Sequence, residues 1–124
     1  MHRMIPELSI HESYDWLRST LEHLASIPRL NDADFDYIVF EVLDVDVRSA
    51  LSEVALDRLI FGHALSDSAK REILSLRSAV LVLIDVALAA AASSNAQVWR
   101  DHKWLDVAQS SERILSEYVH GSAA

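Results

Sequence analysis

The chain contains no cysteine, which rules out a disulfide framework, a thiolate nucleophile and a cysteine-ligated metal. A reducing compartment fits that composition, and the expected location is cytoplasmic. Glycine and proline occur only twice each, too few for a protein built from many tight turns. Gly62 and Gly121 are far apart, so no phosphate-cradling loop can be written, and there is neither a Gly-x-Ser-x-Gly elbow nor a Ser-x-x-Lys nucleophile. Long apolar runs are scarce as well. The greasiest stretch, 79–92, carries Asp85 and falls short of the roughly 20 apolar residues of a membrane span. The first residues, Met1-His2-Arg3-Met4-Ile5-Pro6-Glu7, lack the apolar core of a secretory signal. No membrane association is expected.

What the chain does have is ordinary globular material, with 51% hydrophobic and 24% charged residues, well away from the disordered regime. Its 124 residues suit one domain, 1–124, able to remove roughly two-thirds of its unfolded surface from water. Few turn formers and abundant Ala, Leu, Ser, Asp and Glu predict an all-α fold, a single-domain bundle of four to five antiparallel helices.

The periodicity sets out those helices. Ser9-Ile10-His11-Glu12 has the form of a capping box, followed by a helix over about 10–26 with Ile10, Tyr14, Leu17, Leu21 and Leu24 on one stripe and Pro28 as its end. Asn31 or Asp32 suits the cap of a second helix with Phe35, Ile38, Val39 and Val42 inward. The alternating run Leu43-Asp44-Val45-Asp46-Val47 is expected to be a helix end and turn. A third helix follows over about 47–61, with Ala50, Leu51, Val54, Ala55, Leu59 and Ile60 inward, and Gly62 is placed to finish it. Ser66 or Asp67 caps a fourth helix reaching about residue 92. Because 79–92 is apolar nearly all round, it is expected at the centre of the bundle, enclosed by the other helices. Ser93-Ser94-Asn95 breaks the pattern, and a last helix over about 96–120 uses Val98, Leu105, Ala108, Leu115 and Val119.

Charge is the most directed signal. Of the net charge of −8, seven units fall within 31–57, where Asp32, Asp34, Asp36, Glu41, Asp44, Asp46, Glu53 and Asp57 meet only Arg48. A localised charge makes a directed field that speeds encounter with an oppositely charged partner. Three readings stay open for this span: a solvated acidic face, a docking surface for a basic protein, and, last, metal binding. Evenly spaced oxygen ligands around a central glycine of the calcium-loop type are missing, and no metal or other cofactor is expected.

Other groups carry weaker signals. His11 with Asp15, His63 with Asp67 and His102 with Asp106 sit at a helical-turn spacing that suits surface ion pairs. The lone Glu117-x-x-His120 falls short of the paired motif of a di-iron bundle. Asp85, in the greasy segment, is expected to have a buried Arg, His or Trp N–H partner, or to be a pocket acid, if that helix is enclosed; a helix boundary that leaves it facing water removes the need for either. Trp99, Arg100, His102 and Trp104 cannot all face inward, so one tryptophan is expected in the core and the other partly exposed.

The stretch Phe35 to Leu76, above all Asp46-Val47-Arg48-Ser49-Ala50-Leu51-Ser52-Glu53 through Leu59-Ile60, resembles the middle of small helical bacterial immunity proteins of the MafI-like group, in which an acidic turn leads into an Ala-Leu-rich helix with a Glu. Here Asp44-Val45-Asp46 stands where that group has a His-Gly-Glu-like turn. The resemblance implies a non-catalytic antidote whose partner is a basic toxin, for instance a nuclease, with no direct contact to nucleic acid. Two alternatives remain: a phage-type inhibitor that mimics nucleic acid, and a small helical ligand carrier or enzyme with a pocket near Asp85 and the tryptophans. The oligomeric state is not legible.

Overall fold

The computed structural model describes residues 9–92 and 102–119. They form an all-α bundle, and among them there is no strand. The expected breaks at Ser93-Ser94-Asn95 and Gly121, and the expectations for Val98, Trp99, Arg100 and His120, lie outside the described residues.

Helix α1 spans Ile10–Ser26. The expected capping box is there: Glu12 N–H donates to Ser9 Oγ at 3.0 Å, and Ser9 N–H donates to Glu12 Oε1 at 2.9 Å. The bonds from Ser9 to the Glu12 carboxylate hold its pKa below the usual glutamate value. Pro28 does not stop the chain at once, because it is accommodated early in a 3₁₀ turn, Ile27–Arg29, where its missing N–H costs nothing. α1 is packed against more of the bundle than any other helix, touching α6, α3 and α4, and buries Tyr14, Leu17, Leu21 and Leu24 together with Ser13 and Thr20. The two polar groups are satisfied: Thr20 Oγ1 donates to the Trp16 carbonyl at 2.8 Å, and Arg58 donates to Ser13 Oγ at 3.3 Å.

The acidic span departs most from expectation. No turn occurs at 43–47. Instead α2 (Asp32–Tyr37), a π-helical segment (Ile38–Leu43) and α3 (Asp44–Ala50) follow without interruption, and Asn31 caps the start by accepting from Asp34 N–H at 2.8 Å. The reason lies in the spacing of the apolar residues. Phe35, Val39, Leu43, Val47 and Leu51 are all at most 1% exposed, and they recur every four residues. In a pure α-helix each such step overshoots a turn by about 40°, so the stripe would wind off the core. Bonding from i to i+5 takes more residues per turn and brings the stripe back into line. The apparent strand alternation is therefore a helix with Leu43 and Val47 buried and Val45 facing out.

The break comes one turn later, at Leu51-Ser52. Ser52 is extended (ψ 157°) and its Oγ accepts from Ala55 N–H at 3.2 Å, starting α4, Glu53–Phe61. The carbonyls freed at the end of α3 are met by Arg77 of α5, which donates to Val47 O and Arg48 O, each at 3.2 Å. With this phase Val54, expected inward, is 73% exposed and Leu56 is buried in its place, while Leu59 is buried as expected.

Gly62 ends α4, although it is not the left-handed residue. Its φ is −84°, and His63 carries φ 61°. His63 N–H donates to Ile60 O at 3.0 Å and Ala64 N–H to Leu59 O at 2.8 Å, the bond pattern of a Schellman motif centred one residue later than expected. The site is also tight. A Cβ at position 62 would lie 3.1 to 3.3 Å from the Ile10 side chain.

Ser66 caps α5 (Asp67–Ala92), accepting from Ala69 N–H at 3.1 Å. Ile73, Leu76, Val80, Leu83 and Ile84 are buried. The second half is not enclosed as its composition suggests: Ala79, Val82, Asp85 and Val86 are exposed. Helix α6 spans His102–Glu117 and ends one turn before the expected stop. Its phase is set by Trp104, 3% exposed, with Val107, Ala108, Ser111 and Ile114, which leaves Leu105, expected inward, 47% exposed. Trp104 meets Phe35 edge to face, centroids 5.8 Å apart at 87°, joining α6 to α2. Glu72 near the start of α5 binds Arg113 and Tyr118 at the end of α6, as antiparallel neighbours do.

Candidate functional site

The π-helical segment that aligns the buried stripe aligns the opposite one too. Ala33, Tyr37, Glu41, Val45 and Ser49 are all exposed and share the four-residue spacing, so they make a ridge along the outside of α2 and α3. Tyr37 and Val45 are each 59% exposed. Glu41 lies between them on the crest, and Asp34 and Asp46 sit one residue further on, along a single shoulder. Sequence reasoning named the acids and missed Tyr37 and Val45. The four-residue recurrence was the available signal, hidden by the assumption of a turn at 43–47.

The eight acids do not act alike. Among the described residues, Asp34, Glu41 and Asp46 have no ion pair. Asp44 accepts from Arg48 Nε at 3.1 Å across one turn of α3. Glu53 and Asp57 of α4 converge on Lys70 of α5, at 3.2 and 2.7 Å, and their hydrogen bonds, Asp57's above all, raise the Lys70 ammonium pKa above its usual value. These pairs are exposed and each contributes little to stability. Their effect on the field is larger, because three of the carboxylates are met by the protein's own cations. Asp32 and Asp36 belong to α2, but their side chains lie outside the described residues. Among the described acids, those without an ion pair, Asp34, Glu41 and Asp46, thus lie along α2, the π-helical segment and the start of α3, and those of α4 are met by Lys70.

Asp85 is exposed on α5, the water-facing alternative and not the buried one, so no buried partner is required. The one-turn pair of His11 Nε2 and Asp15 Oδ2 is present at 3.2 Å on exposed surface. His63 and Asp67 share no helix, since His63 belongs to the left-handed turn before α5. No group of three His, Asp or Glu side chains among the described residues is placed to hold a metal ion, and no helix among them is long and apolar enough to cross a membrane.

A second feature lies between α5 and α6, a groove of about 680 Å³. Its walls are apolar along Leu76, Ala79, Val82, Leu83, Val86, Trp104 and Val107, with Arg71, Glu72, Ser75 and Arg113 at one end and Lys103 and Asp106 nearer the other. Trp104 lines it, as expected of a pocket near the tryptophans, and Asp85 does not. The Arg113 guanidinium, hydrogen-bonded to Glu72, holds that carboxyl below the usual glutamate pKa, and the same bond raises Arg113. Burial and the neighbouring Glu72 carboxylate raise the Tyr118 phenol.

Compared with known proteins, the chain matches no protein-family model, no curated protein and no solved structure.

Proposed function

We propose that the protein is a non-catalytic binding protein that occludes a basic macromolecular partner through the ridge of α2 and α3. The finer reading is an immunity protein acting in the cytoplasm to neutralise a cognate bacterial toxin such as a nuclease. The observation that carries the proposal is the makeup of the ridge: two half-exposed apolar side chains, Tyr37 and Val45, bracket Glu41, and Asp34 and Asp46 flank the crest without an ion pair among the described residues. Exposed aromatic surface supplies contact area, and the surrounding carboxylates steer a basic partner and select its register. Nuclease sites present Lys and Arg to phosphates, which matches this charge. The MafI-like resemblance of Phe35 to Leu76 points the same way and covers α3 and α4. A nucleic-acid mimic is less well served, since a phosphate-like row needs regularly spaced carboxylates along the crest, and here apolar side chains occupy the neighbouring crest positions.

Capture from the native host's lysate, identification by mass spectrometry and assay of the captured protein's activity test this reading. The expected partner is basic and is inhibited on binding. Asp34→Lys with Glu41→Lys and Asp46→Lys breaks no internal ion pair, so it should leave the fold intact while slowing association at low salt by about tenfold or more. An unchanged association rate would reduce the acidic span to a solvated face.

A further inference from the structure

We infer that the outer face of α5 is an interface between two copies of this chain, packed antiparallel about Ser78. Arg71, Ser75, Ser78, Val82 and Asp85 follow one another at alternating four-residue and three-residue steps, which keeps them on one side of the helix, and all five are exposed. Ala79 and Val86 widen that side and are exposed too. Part of it is a wall of the groove beside α6, but Ser78 and Asp85 do not line the groove, so the face extends past its rim.

Two observations name the occupant. Between Arg71 and Asp85 the face runs about 21 Å along the helix, and none of its exposed residues is charged, in a chain where 24% of residues are. Val82 is 62% and Val86 43% exposed, and covering them removes apolar surface from water. The second observation is charge complementarity. Arg71 and Asp85 close the uncharged strip at its two ends, seven residues to either side of Ser78. Neither has an ion pair among the described residues, and the Arg71 guanidinium donates to Ser68 Oγ at 3.3 Å. A two-fold axis at Ser78 reverses the second helix and sets each Arg71 against the partner's Asp85, twice over. A parallel pair would oppose like charges, and a partner carrying one sign of charge would meet its like at one end. One helix pair covers less than a standard interface, so the dimer is reversible.

Neither the ridge of α2 and α3 nor its partner enters the test. Sedimentation velocity of the full-length protein, from about 1 to about 500 µM, should show a monomer–dimer equilibrium. Arg71→Asp alone, or Asp85→Arg alone, opposes like charges at both ends and should raise the dissociation constant by about tenfold or more. Both positions are exposed, and circular dichroism should find each variant folded. Mixed in equal amounts, the two variants should associate with close to the original affinity, because every end then joins opposite charges. A protein that stays monomeric throughout the range overturns the inference. So does a dimer indifferent to either reversal, a mixture that fails to associate, or a dimer abolished by Tyr37→Glu on the ridge.

Discussion

Both α2–α3 and α5–α6 leave apolar side chains in water, and the two regions frame them differently. On the ridge, Tyr37 and Val45 are convex and bordered by Asp34, Glu41 and Asp46, which have no ion pair among the described residues. In the groove, Val82 and Val86 line a concave surface where charges of both signs meet and Arg113 is held by Glu72 and Glu117. Exposed apolar area alone therefore says little about what a surface meets. Curvature and local charge divide it.

The two regions are joined where Phe35 packs edge to face on Trp104, and this contact is the place to break the comparison. Phe35 is 1% exposed, so Phe35→Ala should cost about 3–5 kcal/mol, measured by urea unfolding. Both regions should be lost in one transition if they form a single cooperative unit. A smaller effect is expected at Arg77, whose two bonds close the end of α3 from α5. Arg77→Ala leaves those carbonyls without their charged donor and should cost about 2 kcal/mol. The ridge would then loosen before the groove does, which hydrogen exchange at α3 can detect.

Two further measurements sharpen the contrast without unfolding either region. His63→Gly removes the side-chain penalty of a left-handed residue in the α4–α5 turn and should stabilise by about 1 kcal/mol, with both surfaces unaltered. The last concerns pH. Because Arg113 depresses Glu72, the stability that pair supplies is fully present above the ordinary glutamate pKa and is lost as pH falls through the depressed folded value. Glu72→Gln should flatten the acid limb of the stability profile, and that loss should report from α5–α6 and leave the α2–α3 signals unmoved.

The sequence carried the helical class, the capping box at Ser9, the caps at Asn31 and Ser66 and most of the α1 and α5 stripes, because these depend on local hydrogen bonds and on regular 3.6-residue periodicity. It misled where tertiary packing set the phase. Leu43 to Val47 alternates like a strand or turn, and a helix wound to a four-residue repeat keeps both on one line with Phe35, Val39 and Leu51. Ser52 looked like a helix-interior serine until Arg77, distant in sequence, closed the end of α3. For 79–92, composition alone put the segment at the centre, yet enclosure requires neighbours on every side, and Val82 and Asp85 of α5 are exposed. The candidate surface was half legible. Acid positions could be counted, whereas their pairing with Lys70 and the alignment of Tyr37 with Val45 depend on the packing of the whole bundle.

The wide turn at Ile38–Leu43 also makes the helix unequally tolerant of changes in length. A bond from i to i+5 encloses one more residue than a bond from i to i+4, so a single residue lost there lets the backbone relax into ordinary α-helix with the two halves still in phase. A single residue gained finds no such slack. It would swing everything downstream by about 100° relative to everything upstream, carrying Leu43 and Val47 off the interior while Phe35 stayed in place.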